Sequence, residues 1–309
     1  MPNNRVFITG AAGFIGSHIT EHLLAQGFKV MALKRNSSNL WRCDDFRDSI
    51  HWLANEDWKE QVIKFKPDTI IHLAWNGISP TEREDFEKQF FNLQLLFDLI
   101  DIGKTVSIKK FIAFGSQAEY GSIEGRISEA TQPAPFNAYG VAKLAAQKSL
   151  EISCAKSGIH WYWLRIYSVF GPKENTNWFI PMIITNLLMD EECKLTGCEQ
   201  LYDYLYVKDL AKMVLAIVNK DGNHSGVYNL SSNHSRSLKS IVDDINEIIN
   251  SKSTISFGAV PYRPNQSMHI EGNSDLYDKT FGERPAANIN SALKDTIAYY
   301  SSLPNRENQ

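Results

Sequence analysis

Residues 7–16 read FITGAAGFIG, and no other stretch of this 309-residue chain restricts its folding options as much. An apolar β-type run enters a set of glycines, Gly10, Gly13 and Gly16, and an amphipathic helical pattern leaves it. Each glycine has its own physical reason. Gly10 permits a tight turn, Gly13 lets the backbone approach a bound pyrophosphate, and Gly16 lets the helix sit close to the sheet. The helix start at Phe14 and Ile15 then turns its N-terminus toward the anion. A glycine triad by itself is a weak signal. Between a strand and a helix it predicts the opening turn of a dinucleotide-binding sheet.

The rest of the first half agrees. RVFITG, KVMALK, SIHWLA, DTIIHLA and KKFIAFG read as strands, and GSHITEHLLAQG, WKEQVIKF and DFEKQFFNLQLLFDLIDIG carry apolar residues at helical spacing. Strands alternating with helices imply βαβ units and a parallel sheet. The expected fold is therefore α/β: a Rossmann-type doubly wound parallel sheet over residues 1–176. A smaller C-terminal α/β substrate lobe follows over 177–309, with some of its segments returning to the sheet. In that second part, helical patterns (FIPMIITNLLMD, VKDLAKMVLAIVN, SLKSIVDDINEIIN) alternate with short β-type pieces (CKLTG, GVYNLSS, TISFGAV). PYRPNQSMHIEGNSD, rich in Pro, Asn and Ser, reads as a long loop.

Composition excludes several classes of function. A formal net charge of -3 and a pI near 6.3 argue against nucleic acid as a partner, because phosphate backbones are held by clustered cations. No apolar stretch approaches the ~20 residues of a membrane span, and MPNNRVFITG enters a strand pattern directly. A cytoplasmic protein is expected. Cys43, Cys154, Cys193 and Cys198 lack metal-site spacing and read as reduced structural thiols.

A second motif carries chemistry. NAYGVAKLAAQKSL places Tyr139 and Lys143 four residues apart, hence on one helix face. A phenol of pKa ~10 is a poor base at neutral pH, and a neighbouring cation stabilises phenolate. Tyr139 can then exchange a proton with a sugar hydroxyl or ketone while a nicotinamide carries hydride.

With T-G-x-x-G-x-x-G ahead of Y-x-x-x-K, the chain resembles the extended, sugar-nucleotide branch of the short-chain dehydrogenase/reductase superfamily. FGSQAEYG resembles that family's strand-end motif, which implies that Ser116 is the hydroxyl that hydrogen-bonds the reacting oxygen. HLAW resembles its fourth-strand motif and implies cofactor contacts at Leu73 and Ala74, while LRIYSVFGP and YDYLYVKDLA match the approach to the substrate lobe. The resemblance implies a catalytic set of Ser116, Tyr139 and Lys143, with Tyr139 and Lys143 also touching the cofactor. It further implies a nucleotide-sugar substrate and, by analogy, a homodimer paired through DFEKQFFNLQLLFDLI and YGVAKLAAQKSL. His72 and Asn92 are expected to organise structure rather than perform chemistry.

Departures from the family pattern narrow the reaction. Its 4,6-dehydratases carry Asp-Glu after the catalytic hydroxyl, whereas here Gln117 and Ala118 stand there. Glu119 is shifted by one residue, which on a strand-like segment turns it to the other face. At the end of the second strand, Lys34, Arg35, Asn36 and Ser37 replace the acidic residue that would hold a free ribose hydroxyl. Cations and hydroxyls suit a 2′-phosphate, so NADP(H) is favoured, with NAD(H) possible. Substrate-binding candidates by alignment are Ser168, Tyr202 and Arg263, the last a planar fork suited to phosphate. Trp178 and Phe179 are expected to pack in the core. The reading is NADPH-dependent reduction of a nucleotide-linked 4-keto-6-deoxyhexose. A nucleotide-sugar epimerase or an NAD-linked dehydrogenase using the same three residues is the alternative, and a non-catalytic cofactor-binding regulator a further one.

Overall fold

The computed structural model describes residues 4–54, 56–122, 124–263 and 266–303. From the N-terminus run β1 (Arg5–Thr9), α1 (Phe14–Ala25), β2 (Lys29–Leu33), β3 (Ile50–Leu53), α2 (Trp58–Phe65), β4 (Thr69–His72), α3 (Phe86–Val106) and β5 (Lys110–Ser116). The middle of the chain forms β6 (Gly125–Ile127), α4 (Ala138–Ser157), β7 (His160–Ile166), β8 (Ser168–Phe170) and α5 (Phe179–Leu188). Then come β9 (Cys193–Lys194), β10 (Leu201–Tyr206), α6 (Val207–Asn219), β11 (Gly226–Leu230), β12 (Ser235–Ser237) and α7 (Leu238–Ile249). The remainder is β13 (Ile255–Ser256), β14 (His269–Gly272), α8 (Asp275–Phe281) and α9 (Ile289–Ser302).

A seven-stranded sheet in the order β11-β7-β5-β4-β1-β2-β3, parallel throughout, forms the main body. Strand order reverses at β1, so a crevice opens between β1 and β4 at their carboxyl ends. Alternation along β1 sends Val6 and Ile8 to one face and Phe7 to the other. The first face is covered by α1 and α6, through Ile19, Leu23, Leu210, Val214 and Ile217. The second is covered by α2, α3 and α4, through Val62, Leu96, Leu99, Ala146 and Leu150. Local signals mark the helix ends: Asn137 caps α4 by accepting from Gly140 N at 2.8 Å, and Gly158 ends it at φ 68°.

The C-terminal half crosses between bodies more than once. α6 packs on α1, and β11 pairs with β7 as the outer strand of the large sheet. The lobe is a mixed sheet of β12, β10, β14 and β6, with β8 also on β10, beside α5, α7 and α9. Its core joins Ile180, Ile183, Ile241, Ile245, Leu293 and Ile297. The segment expected to be one long loop instead yields β14 between β10 and β6, and α8 begins at its last residue. Its Asn and Ser content misleads because those polar groups serve hydrogen bonds: Ser274 Oγ donates to Asn229 O at 2.8 Å. The four cysteines are all buried free thiols.

Candidate functional site

The carboxyl ends of β1, β2, β4 and β5 place the candidate residues along one edge. At the glycine turn, Gly10 has φ 79°, and a Cβ there would lie 2.8 Å from Ala74 N. A Cβ on Gly16 would lie 2.0 Å from Gly10 O, so α1 touches the turn backbone directly. Gly13 precedes α1 without a side-chain cap, and no acidic residue occupies the first helical turn. The N–H groups of Phe14, Ile15 and Gly16 are thus left for an anion, and the cradle fits a dinucleotide's pyrophosphate.

Facing the turn, Thr9 Oγ1 meets His72 Nδ1 at 2.8 Å and accepts from Ala74 N at 3.3 Å, which fixes Leu73 and Ala74 beside Gly10. His72 is pushed down to about 3, first by burial and then by the Lys143 charge, so it stays neutral. Asn92 accepts from Asn76 N at 2.7 Å and donates to Asn76 O at 3.1 Å, pinning the loop after β4. Each side chain is thus engaged in hydrogen bonds that hold the end of β4 and the loop after it.

At the end of β2, Lys34 N donates to Leu53 O at 2.8 Å. Arg35, Asn36 and Ser37 are exposed. Arg35 Nη1 donates to Asn76 Oδ1 at 3.1 Å, and Arg35 with Trp75, Asn76 and Gly77 lines a cleft of about 740 Å³. Of the cations predicted from sequence, Arg35 lines this cleft, and Trp75 on its wall also meets Tyr139 edge-on and Lys143.

Those residues converge. Tyr139 and Lys143, on the first turns of α4, are 7% and 4% exposed, and Ser116 ends β5 beside them. Ser116 faces the phenol and favours its ionised form. Lys143 Nζ donates to Phe114 O at 2.7 Å and lies 3.7 Å from the centre of the Trp75 ring. Burial pushes Lys143 down to about 7, against the pull of Glu119. Tyr139 is raised, chiefly by burial and slightly by Glu119, while Arg83 and Ser116 pull it down. Arg83 lies 4.9 Å from the Tyr139 ring centre, closer than the 5.8 Å of Lys143. In this geometry Arg83 supplies the cation over the phenol that sequence spacing assigned to Lys143. No local sequence signal marks Arg83, because only the return of the loop after β4 brings it there.

Glu119 needs a correction. Residues Gln117–Tyr120 form a 3-10 turn, not a strand, and the carboxylate points inward rather than to an opposite sheet face. Ser116 caps this turn, its Oγ accepting from Ala118 N at 3.2 Å. Gln117 and Ala118 carry no carboxyl, and the Glu119 carboxylate accepts from the main-chain N of Ser116 at 2.8 Å and from Arg165 Nε at 2.8 Å, so it is saturated beneath the site.

The substrate candidates are more scattered. Ser168 starts β8 and pairs with Tyr204 on β10. Tyr202, also on β10, donates to Ser267 O at 3.0 Å. Arg263 is exposed, its N–H donating to Gln266 Oε1 at 3.3 Å. Trp178, expected in the core, is 42% exposed: it is the N-cap residue just outside α5, while Ile180 and Pro181 of the first turn are the ones buried. Phe179 is partly buried against the lobe core.

The family model for the NAD dependent epimerase/dehydratase family matches residues 6–231. An uncharacterized UDP-glucose epimerase of Bacillus subtilis, YtcB, is 28% identical, covering 97% of this chain and 98% of its own. A dTDP-6-deoxy-L-talose 4-dehydrogenase (NAD(+)) of Aggregatibacter actinomycetemcomitans is 27% identical over 86% and 98%. A CDP-abequose synthase of Yersinia pseudotuberculosis is 25% identical over 85% and 90%. Among solved structures, a UDP-glucose 4-epimerase of Thermotoga maritima superposes with a TM-score of 0.87 at 22% identity, covering 96% of this chain and 98% of that one.

Proposed function

Because the chain belongs to the NAD dependent epimerase/dehydratase family, we propose that it reduces a nucleotide-linked 4-keto-6-deoxyhexose with NADPH. The carrying observation is the proton inventory at the site. Ser116 faces the Tyr139 phenol at the strand edge, and the Glu119 carboxylate is taken up by Arg165, Trp163 and the main chain of Ser116. A dehydration needs an added acid and base to expel water; a keto reduction needs one proton donor and one aligning hydroxyl. This site has the second set.

Bound nicotinamide supplies the hydride. Tyr139, held protonated by its burial, gives its proton to the carbonyl oxygen, and Ser116 aligns that oxygen. Lys143 and Arg83 stabilise the phenolate left behind. The carbon at which the sugar is reduced follows from how the lobe orients it, with Ser168, Tyr202 and Arg263 as the proposed contacts.

The half-buried Lys34 and the exposed Arg35, with Asn36 and Ser37, support a 2′-phosphate and hence NADPH. A nucleotide-sugar epimerase is the second reading, favoured by the names of the relatives. The two separate in one experiment. Cofactor-stripped protein is titrated with NADPH and NADH, then offered 4-keto sugar nucleotides. NADPH binding ~tenfold tighter or more, about 1.4 kcal/mol, with net oxidation of cofactor, supports the reductase. Equal or tighter NADH binding with no net cofactor consumption supports the epimerase.

A homodimer and a cytoplasmic location complete the proposal. Phe86, Phe90 and Phe97 form one exposed stripe on α3, at 59%, 40% and 42%, and α4 exposes Ile152 at 55%. Such a stripe suits pairing with a second copy. Sedimentation as a monomer at micromolar concentration would oppose it. Among the described residues no helix is long and apolar enough to cross a membrane.

A further inference from the structure

We propose that Glu119 is a positioning residue: from beneath the site it fixes the main chain of Ser116 and holds the charge on Lys143. The inference rests on the reading of Ser116, Tyr139 and Lys143 as the reacting group.

The pocket for this carboxylate is built from several elements. Its Oε1 accepts from Ser116 N at 2.8 Å and from Trp163 Nε1 at 2.9 Å. Its Oε2 accepts from Arg165 Nε at 2.8 Å and Trp163 Nε1 at 3.1 Å. Glu119 is 0% exposed. Room for it exists only because residue 115 is glycine: a Cβ there would lie 2.3 Å from Glu119 Oε1 and 2.1 Å from Trp163 Nε1. Gly115, Trp163 and Arg165 together therefore make a socket whose occupant grips the residue that carries the catalytic hydroxyl.

The socket also acts electrically. Lys143 is surrounded by Trp75 and the Phe114 carbonyl, with neutral His72 from β4 and Tyr139 from its own helix nearby. Arg165 of β7 lies behind Glu119, and Arg83 lies over Tyr139 from the loop. Within this set Glu119 is the negative group that favours the ammonium, countering the burial that drives Lys143 down to about 7. The same charge favours the neutral, proton-bearing phenol of Tyr139. One carboxylate thus biases both partners toward the forms a proton donor needs.

The test is Glu119→Gln, which keeps the size and the acceptor facing Ser116 N but removes the charge. Protein labelled with 13Cε-lysine is titrated without cofactor or sugar, and the Lys143 resonance is identified by its loss in Lys143→Met. The expected midpoint falls by about one unit or more, a ~tenfold change in its ionisation ratio. A folded variant with an unmoved midpoint overturns the proposal. If the single change does not fold, Glu119→Gln is read in the Arg165→Met background, and its midpoint is expected to fall relative to Arg165→Met alone. An unmoved midpoint there is equally fatal. Turnover on a keto sugar is measured separately: the alkaline limit of kcat moves down with the Lys143 midpoint. A shifted midpoint with no keto-sugar turnover in the parent protein would leave Glu119 as proposed and remove the reductase reading instead.

Discussion

Two buried carboxyl groups, Glu119 under the catalytic edge and Glu174 at the junction with the lobe, sit in contrasting surroundings. Glu119 is enclosed by N–H donors and a guanidinium. Glu174 lies among Arg42, Tyr204 of β10 and Tyr300 of α9, and its Oε2 has no partner among the described residues. Burial pushes Glu174 up to about 9, only partly opposed by Arg42. Removing a carboxyl from water disfavours its charge, and only close donors restore it. Around Glu119 those donors exist; around Glu174 Oε2, among the described residues, none does.

The largest expected effect tests whether the catalytic edge performs chemistry. Tyr139→Phe keeps the ring under Arg83 and removes the proton, so turnover on a keto sugar should fall by ~10²–10⁴ or more. NADPH affinity, measured by fluorescence, should stay nearly unchanged. Undiminished turnover would end the role of Tyr139.

Glu119→Ala probes the satisfied carboxyl. It strands a buried Arg165 and should cost ~3–5 kcal/mol in urea unfolding. A loss below ~1 kcal/mol would erase the contrast between the two groups.

Glu174→Gln should act in the other direction. The folded carboxyl holds its proton up to about 9, whereas the unfolded one ionises from 4.5. Its stability contribution is therefore complete below 4.5 and is lost as pH rises through about 9. At neutral pH the Gln variant should be more stable by ~1–3 kcal/mol, the cost of an unmet buried group. Near pH 4 the two proteins should melt together. Destabilisation at neutral pH would show that Glu174 has a charge partner after all.

The smallest effect concerns His72, held at about 3 against an ordinary 6.5. Its neutral form stabilises the fold above 6.5, and that contribution is lost as pH falls through the folded value of about 3. Over the first unit of acidification below the ordinary value the loss is ~1 kcal/mol. His72→Gln should flatten this part of the stability profile, and an unchanged slope would mean that His72 is solvated.

Much of this was legible because it rests on local rules. The glycines of FITGAAGFIG and the alternation of β1 to β5 with helices predict a parallel sheet, and the sheet has that form. The four-residue spacing of Tyr139 and Lys143 puts both on one helix face, and the helix forms from Ala138. The reading of Glu119 failed at its geometry, since a 3-10 turn aims a side chain differently from a strand. The loop expected in the C-terminal region hid β14, because a strand of a mixed sheet is defined by β10 and β6, far away in the chain.

The sequence by itself determined the fold class, the glycine turn and the placing of Tyr139 and Lys143 on one helix, since each depends on spacing within a few residues. Tertiary structure alone decided which charges face them. Arg83 reaches Tyr139 only through the returning loop, and Glu119 meets Arg165 only across β5 and β7. The reason is range: backbone geometry is set by neighbours in sequence, whereas burial and Coulomb interactions act through space.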